Sequence, residues 1–321
     1  GRTWYSVFST GSAYGVMIPI GTEMTQMEHR FVPTRFKDGY GPVGMWFQYF
    51  GAKITNSKGE DYTVTREAEL HKYKPYGLVV PTPTPLRNHQ MFLDIKDGLG
   101  PMYMGTDKAM QKIAGDDPEK MRKVKEEAWG DFLDMTISQA LTWASQDIRP
   151  EVTPSEVVLA EPYIMGSHSG ESGAWVSGPE DLAPPDYFWG YNKMTTIKGL
   201  FAAGDGVGAA PHKFSSGSFT EGRLAAKAAV NFLNDNPEDS TLNDGQVTSL
   251  RDKIWAPLER FEKYKGASTA EEVNPHYLTP YQGLVRLQKI MDEYAGGISA
   301  WYTTNKPTLE RGIQLIGLLQ I

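Results

Sequence analysis

Residues 199–223 read GLFAAGDGVGAAPHKFSSGSFTEGR, and this stretch decides the fold. Its beginning, from Lys198 to Ala203, is apolar apart from the lysine and reads as a buried strand. The strand runs into the turn Gly204-Asp205-Gly206, and Ser215-Ser216-Gly217-Ser218 then opens a helix. The helix body, SFTEGRLAAKAAVNFL over residues 218–233, is rich in alanine and suits close packing. Strand, glycine turn and helix opening in that order set free backbone N–H groups and the positive end of the helix dipole beside the turn, which favours an anionic or electron-rich ligand. Asp205 follows the carboxyl end of the strand, where it can accept hydrogen bonds from ligand hydroxyls. The glycines by themselves also suit an ordinary strand–turn–helix crossover; the arrangement as a whole favours a cofactor loop.

Working outward, residues 11–20 (GSAYGVMIPI) are small and apolar, as a helix packed closely on a sheet requires, and Gly21 ends them. Between residues 39 and 51 glycines alternate with Tyr40, Trp46, Phe47, Tyr49 and Phe50, a loop-and-strand pattern with bulky walls. Asn56-Ser57-Lys58-Gly59 reads as a hairpin turn between residues 52–55 and 62–64. Pro81, Pro83 and Pro85 mark a stiff extended segment. Asp116 or Asp117 caps a helix with Pro118 in its first turn, and the charges over residues 119–127 mark its solvated face. Residues 134–146 form a further helix, and Val157-Val158-Leu159 a strand entering the loop Gly166-Ser167-His168-Ser169-Gly170. Residues 234–246 (NDNPEDSTLNDGQ) are a polar linker, and helical patterns dominate beyond it.

Composition bounds the function classes. The 321 residues suggest two or three domains at roughly 100–200 residues each. Aromatic content of 12% supplies ample area for cores, against disorder. A formal charge of −7, from 32 Lys and Arg against 39 Asp and Glu, argues against a nucleic-acid platform. No run approaches the ~18 apolar residues of a membrane span. With no cysteine, the chain can hold neither a disulfide scaffold nor a cysteine-ligated iron–sulfur cluster. It opens without a Met or a signal pattern and stops inside the apolar run Ile313-Gln314-Leu315-Ile316-Gly317-Leu318-Leu319, as an internal fragment of a longer protein does.

The segment 199–223 resembles the C-terminal flavin-binding motif of the fumarate reductase/succinate dehydrogenase flavoprotein superfamily. Within it, GDGVGAAPHKFSSGSFTEGRLAAKA is most similar to the alpha subunits of the dissimilatory adenylylsulfate reductases. TWYSVFSTGSAYGVMIPIGTEM (3–24), MEHRFVPTRFKDGYGPVG (27–44) and YIMGSHSGESGAWVSGPEDL (163–182) carry the same resemblance. It implies an α/β fold (α+β overall) with a discontinuous FAD-binding domain, residues 1–31 and 164–250. A capping domain, 32–163, is inserted, and a truncated helical domain, 251–321, follows. The superfamily's N-terminal Gly-x-Gly-x-x-Gly fold is not in this stretch.

The resemblance also implies a chemistry: adenylylsulfate and two electrons give sulfite and AMP, reversibly, through a sulfite adduct at the flavin N5. Positive donors are needed where charge develops on the sulfo oxygens. By motif, Arg35 in PTRFKDGYG and His168 in MGSHSGESG are the catalytic pair; each also suits a plainer role, a surface arginine at a turn and a loop histidine. Trp4, Phe47 and Phe219 are implied as substrate-binding, Phe47 by stacking on adenine. Gly204, Asp205, Gly206, His212, Ser215, Ser216, Gly217 and Ser218 are implied as FAD-binding, with the helix N-terminus facing the flavin edge that gains negative charge on reduction. The electrons imply a ferredoxin-like beta subunit with two [4Fe–4S] clusters, and with no export signal visible a cytoplasmic location is expected. A superfamily enzyme acting on a C4 dicarboxylate is the competing reading. Against it stand Phe31-Val32-Pro33-Thr34 in place of a His-Pro-Thr segment, and the Met165-Gly166-Ser167-His168 loop.

Overall fold

The computed structural model describes residues 11–164, 172–208, 214–238, 241–276 and 278–319. Helix α1 (Ser12–Met17) leads to the short strands β1 (Met24–Thr25), β2 (Arg30–Phe31) and β3 (Thr34–Phe36). Then come α2 (Gly44–Gln48), β4 (Ile54–Thr55), α3 (Tyr62–Thr65), α4 (Glu67–Leu70), α5 (Thr84–Lys96), β5 (Met102–Met104) and α6 (Thr106–Ala114). Helices α7 (Pro118–Met135) and α8 (Ile137–Ser145) precede β6 (Ser155–Leu159), β7 (Tyr163–Ile164) and β8 (Gly173–Ala174). The chain continues through α9 (Phe214–Asp235), α10 (Asp244–Tyr264), α11 (Pro280–Tyr294) and α12 (Lys306–Leu319). The mixture of helix and sheet agrees with the fold class expected from the sequence. No described helix is long and apolar enough to cross a membrane.

Two compact units divide the chain: one holds the described residues up to Ser177 together with Lys193–Arg223, the other Gly178–Asn192 and those from Leu224 on. The first is built around an antiparallel sheet ordered β3-β6-β5-β4. Alternation along β6 buries Ser155, Val157 and Leu159 and turns Glu156 and Val158 outward. Below the sheet lies an aromatic cluster. Phe36 meets Trp46, Phe132 and Trp143 edge-on at centroid distances of 6.0, 5.5 and 5.6 Å, and Trp46 stacks on Phe50 at 4.4 Å. Such edge-to-face pairs add to the burial term. Met91, Met102, Met104 and Met110 fill the remaining core. Two further antiparallel pairs, β1–β8 and β2–β7, join residues 24–25 to 173–174 and residues 30–31 to 163–164. In the second unit, α11 opens with a reciprocal cap between Thr279 and Gln282.

Several elements follow the sequence closely. Asp117 caps α7, its Oδ1 accepting from the Glu119 and Lys120 amides at 2.9 and 3.2 Å. Residues 157–159 lie in β6, and α9 contains the alanine-rich run but begins earlier, at Phe214. Others differ for local reasons. Asn56 makes the expected turn, accepting from the Lys58 and Glu60 amides at 3.0 and 3.1 Å. After one bridge at Thr55–Asp61, however, Asp61 caps α3, so the second arm is helical and β4 pairs with β5 instead. Residues 44–48 are helical because the i, i+4 spacing brings Trp46 and Phe50 face to face. The expected helix over 134–146 is divided at Thr136, whose amide closes α7 on the Phe132 carbonyl at 2.8 Å. Pro85 lies in the first turn of α5, where its missing N–H is no loss. Residues 198–203 make no ladder. The Thr195 amide donates to the Leu200 carbonyl at 2.7 Å and the Ala202 amide to the Lys193 carbonyl at 3.1 Å, folding the segment into a tight hairpin that leaves Lys198 and Gly199 exposed.

One buried network fixes the position of α5. Asp94, fully buried, accepts from Arg66 Nε at 2.7 Å and Asn56 Nδ2 at 2.9 Å, while Arg66 Nη2 reaches Asp97 at 2.6 Å. Arg66→Met leaves that carboxylate without its cation, and a loss of about 3 kcal/mol is expected. Chemical denaturation measures it; an unchanged midpoint would mean that Asn56 alone compensates Asp94.

Candidate functional site

Arg35 is placed by strand alternation. Its neighbours Thr34 and Phe36 are buried, so Arg35 projects from the other face of β3, half-buried, with Nη1 donating to the Thr34 carbonyl at 3.1 Å. Thr34 Oγ1 donates to Asn88 Oδ1 at 2.9 Å, and Asn88 Nδ2 to the Val32 carbonyl at 2.8 Å. These bonds fasten α5 to the strand that carries Arg35.

The residue before Asn88 is the one that sequence reasoning missed. Arg87 holds its guanidinium carbon 4.4 Å from the centroid of the Phe47 ring and donates from Nη2 to Thr84 Oγ1 at 3.0 Å. Its Nε is buried and has no hydrogen-bond partner among the described residues. Burial draws its pKa down and the nearby Tyr62 opposes that, yet a guanidinium stays charged. A desolvated cation with an empty donor is costly unless an anion completes it. Nothing in RNHQ distinguishes Arg87 from a surface arginine, since the signal is the contact with Phe47, forty residues earlier.

A second group is built on backbone. Gly204–Gly206 is a single helical turn, and Gly204 adopts φ 59°, a left-handed value suited to glycine. A Cβ there would approach Ser218 Oγ to 3.2 Å, so the turn sits against the first turns of α9. Gly217 is buried, while Asp205, Ser215, Ser216, Ser218 and Phe219 are exposed. Thus the Gly204 turn lies beside Ser218 in the first turns of α9, with the hydroxyls of Ser215, Ser216 and Ser218 on exposed positions. One turn further, Glu221 is buried in an ion pair with Lys193 at 2.8 Å, its second oxygen unpartnered among the described residues.

Of the expected site residues, Trp4, His168 and His212 lie outside the described residues. Arg35 and Phe47 are joined through Thr34, Asn88 and Arg87 on the sheet and its helices. The Gly204 turn, α9 and the exposed Phe219 form the other group. Tyr14, also unforeseen, donates its hydroxyl to the Asp205 carbonyl at 3.0 Å and the Ser172 carbonyl at 3.1 Å.

No family model matches the chain. The adenylylsulfate reductase alpha subunit of Megalodesulfovibrio gigas is 45% identical over 330 residues, a match that takes in 100% of this chain and 50% of that protein. The solved adenylylsulfate reductase of the hyperthermophile Archaeoglobus fulgidus is 58% identical and superposes with a TM-score of 0.94, over 100% of this chain and 50% of that one. An adenosine-5-phosphosulfate reductase in complex with sulfite, as a covalent adduct, matches with the same figures. Along its whole length, the chain is similar to one half of the adenylylsulfate reductase alpha subunits. It spans about half the length of the relatives it matches, and the superposition extends the adenylylsulfate reductase fold across both groups of residues described above.

The Lys193–Glu221 pair offers a direct test of how α9 is held. Lys193→Met leaves Glu221 buried without a cation, costing about 3 kcal/mol near pH 7. Chemical denaturation of the variant against the wild type checks this; an unchanged midpoint would refute the assignment.

Proposed function

We propose that the full-length protein is the flavin-bearing subunit of an adenylylsulfate reductase, interconverting adenylylsulfate with sulfite and AMP. Residues 1–31 and 164–250 form part of the flavin-binding domain, residues 32–163 the cap, and residues 251–321 helical structure that continues beyond this stretch. The carrying observation is Arg87: a half-buried cation stacked on Phe47, with a buried donor left empty, next to the strand that holds Arg35. That is the pattern a nucleotide with anionic groups completes.

The second group fits FAD. The left-handed Gly204, the buried Gly217 and the exposed Ser215, Ser216 and Ser218 leave main chain and hydroxyls open to a large ligand, with Asp205 exposed to accept from its hydroxyls. His212 extends this loop in sequence. Bound there, FAD supplies or accepts the two electrons. The positive end of α9 then favours negative charge at the ring edge it faces.

When adenylylsulfate takes up two electrons, the bond between sulfur and the bridging oxygen breaks. Sulfur leaves as sulfite, and the bridging oxygen stays with AMP as a phosphate oxygen. Arg35 holds the sulfo oxygens with a charged planar fork and stabilises the charge that grows on them. His168 offers an N–H donor or a proton near neutral pH. Arg87 covers one face of Phe47, leaving the other for adenine, and its guanidinium charge faces the anionic groups of the nucleotide; Phe219 and Trp4 are the remaining walls. The chain itself has no cysteine, so electrons come through a partner with its own clusters, two [4Fe–4S] centres on a ferredoxin-like beta subunit.

The test is AMP-dependent oxidation of sulfite by ferricyanide, using the complete alpha subunit with its iron–sulfur partner. Turnover that requires AMP, and falls about 100- to 1,000-fold in Arg35→Ala, is expected. Arg87→Gln raises the KM for AMP about tenfold, as loss of a charged hydrogen bond does. Absence of sulfite oxidation, with succinate or fumarate turned over instead, would overturn the proposal.

A further inference from the structure

The Tyr14 hydroxyl is the one side-chain donor described here that reaches across two segments of the cofactor-side group. It bonds to the Asp205 carbonyl at 3.0 Å and to the Ser172 carbonyl at 3.1 Å, residues 191 and 158 positions away in sequence. Those segments already touch through main chain. Ala174 and Val207 form a parallel bridge, and the Gly208 amide donates to the Ala174 carbonyl at 3.0 Å. A Cβ on Gly173 would lie 2.5 Å from the Val207 carbonyl carbon, so no side chain fits between them. Ser172 is tied on its other side, with Oγ donating to the Gln26 carbonyl at 2.7 Å. The ring of Tyr14 packs on the small apolar cluster of Met17, Ala174, Ala202 and Val207, and this aims the hydroxyl.

From this geometry we infer that Tyr14 is a positioning residue for the reaction: its hydroxyl clamps the Gly204–Gly206 turn onto the segment at Ser172 and so sets the main chain that meets the flavin. The inference rests on the function proposed above. A single proton shared between two carbonyls holds two backbones at once, and it acts on the Asp205 carbonyl directly, so the Asp205 side chain and the following amides inherit their aim. Burial, and secondarily the Asp205 charge, hold the phenol above its ordinary pKa, so the donor stays protonated across the neutral range. The bridge also joins two stretches that the sequence resemblance treats separately: Ser172 lies four residues after His168, and Asp205 belongs to the cofactor loop. Through Tyr14, a change in one is felt by the other.

The experiment uses the complete alpha subunit with its iron–sulfur partner and the variant Tyr14→Phe, which keeps the ring and removes only the clamp. FAD is titrated into the deflavinated complex, and kcat and KM for AMP-dependent sulfite oxidation are measured on the fully loaded enzyme. The FAD dissociation constant is expected to rise about fivefold, the equivalent of one hydrogen bond. At saturation kcat falls severalfold while the KM for AMP stays unchanged, and the flavin's visible circular dichroism changes because its contacts have moved. A merely structural hydroxyl would lower the melting temperature and leave kcat of the loaded enzyme and the flavin spectrum as they were; that result overturns the inference. Wild-type protein that holds no FAD would instead overturn the functional reading on which it rests.

Discussion

The side chain of Phe36 is the contact on which the unit built around the β3-β6-β5-β4 sheet depends. It is fully buried, with Trp46, Phe132 and Trp143 each presenting an edge or face to it, and those three rings come from α2, α7 and α8. One residue on a three-residue strand therefore gathers three helices. Because strand side chains alternate, burying Phe36 and Thr34 inward leaves Arg35 with no choice of face. The face that Arg35 presents is thus set by the core packing of its two neighbours. A register slip of one residue would exchange Phe36 for a charge in the middle of an aromatic cluster, which is why this short strand is well specified.

The second group is fixed by a different device. Where β8 meets Val207 and Gly208, backbone packs on backbone, and glycine is required because any Cβ on Gly173 would strike the opposite chain. Main chain in direct contact has few soft degrees of freedom, so a turn built on it presents its amides in a set direction. That is what binding a ligand through backbone groups demands. Rings around one strand and bare backbone beside one turn are separate solutions to the same need for rigidity.

Much of this was legible in the sequence, though unevenly. Asp117 before Pro118 and the alanine-rich run of α9 are local signals, and local physics decided both. The 44–48 helix was hidden because glycines and aromatics suggest a loop or strand until Trp46 and Phe50 are seen to stack. The hairpin after Asn56 failed because Asp61, a good helix cap, competes for the same residues. The strand expected over 198–203 had the right composition, but it found its hydrogen bonds within a hairpin rather than from a neighbouring strand. Of the expected site residues, Arg35 and the Gly204 loop sit inside long motifs, and Phe47 stands among the aromatics just after one, so they could be singled out. Arg87 lies in no such motif, and Tyr14 lies in one but carries no local signal; the meaning of both is in contacts across 40 and 191 positions, and no periodicity encodes such contacts.

The treatment of buried charge separates Arg66 and Lys193 from Arg87. Arg66 has Asp94 at 2.7 Å, and Lys193 has Glu221 at 2.8 Å; in each case a nearly inaccessible carboxylate repays the desolvation. Arg87 is given an aromatic face and a threonine hydroxyl instead, neither of which neutralises it. A ring quadrupole orients a guanidinium without quenching its charge, and this is the condition for binding an anion that comes and goes. Had a carboxylate occupied that place, an incoming phosphate or sulfo group would have met a neutral pair and would have had to displace it. On the proposed function, leaving Arg87 stacked and, among the described residues, without a carboxylate keeps its full charge for the ligand, at a cost in stability that the neighbouring bonds from Asn88 to Thr34 and Val32 help the helix to bear.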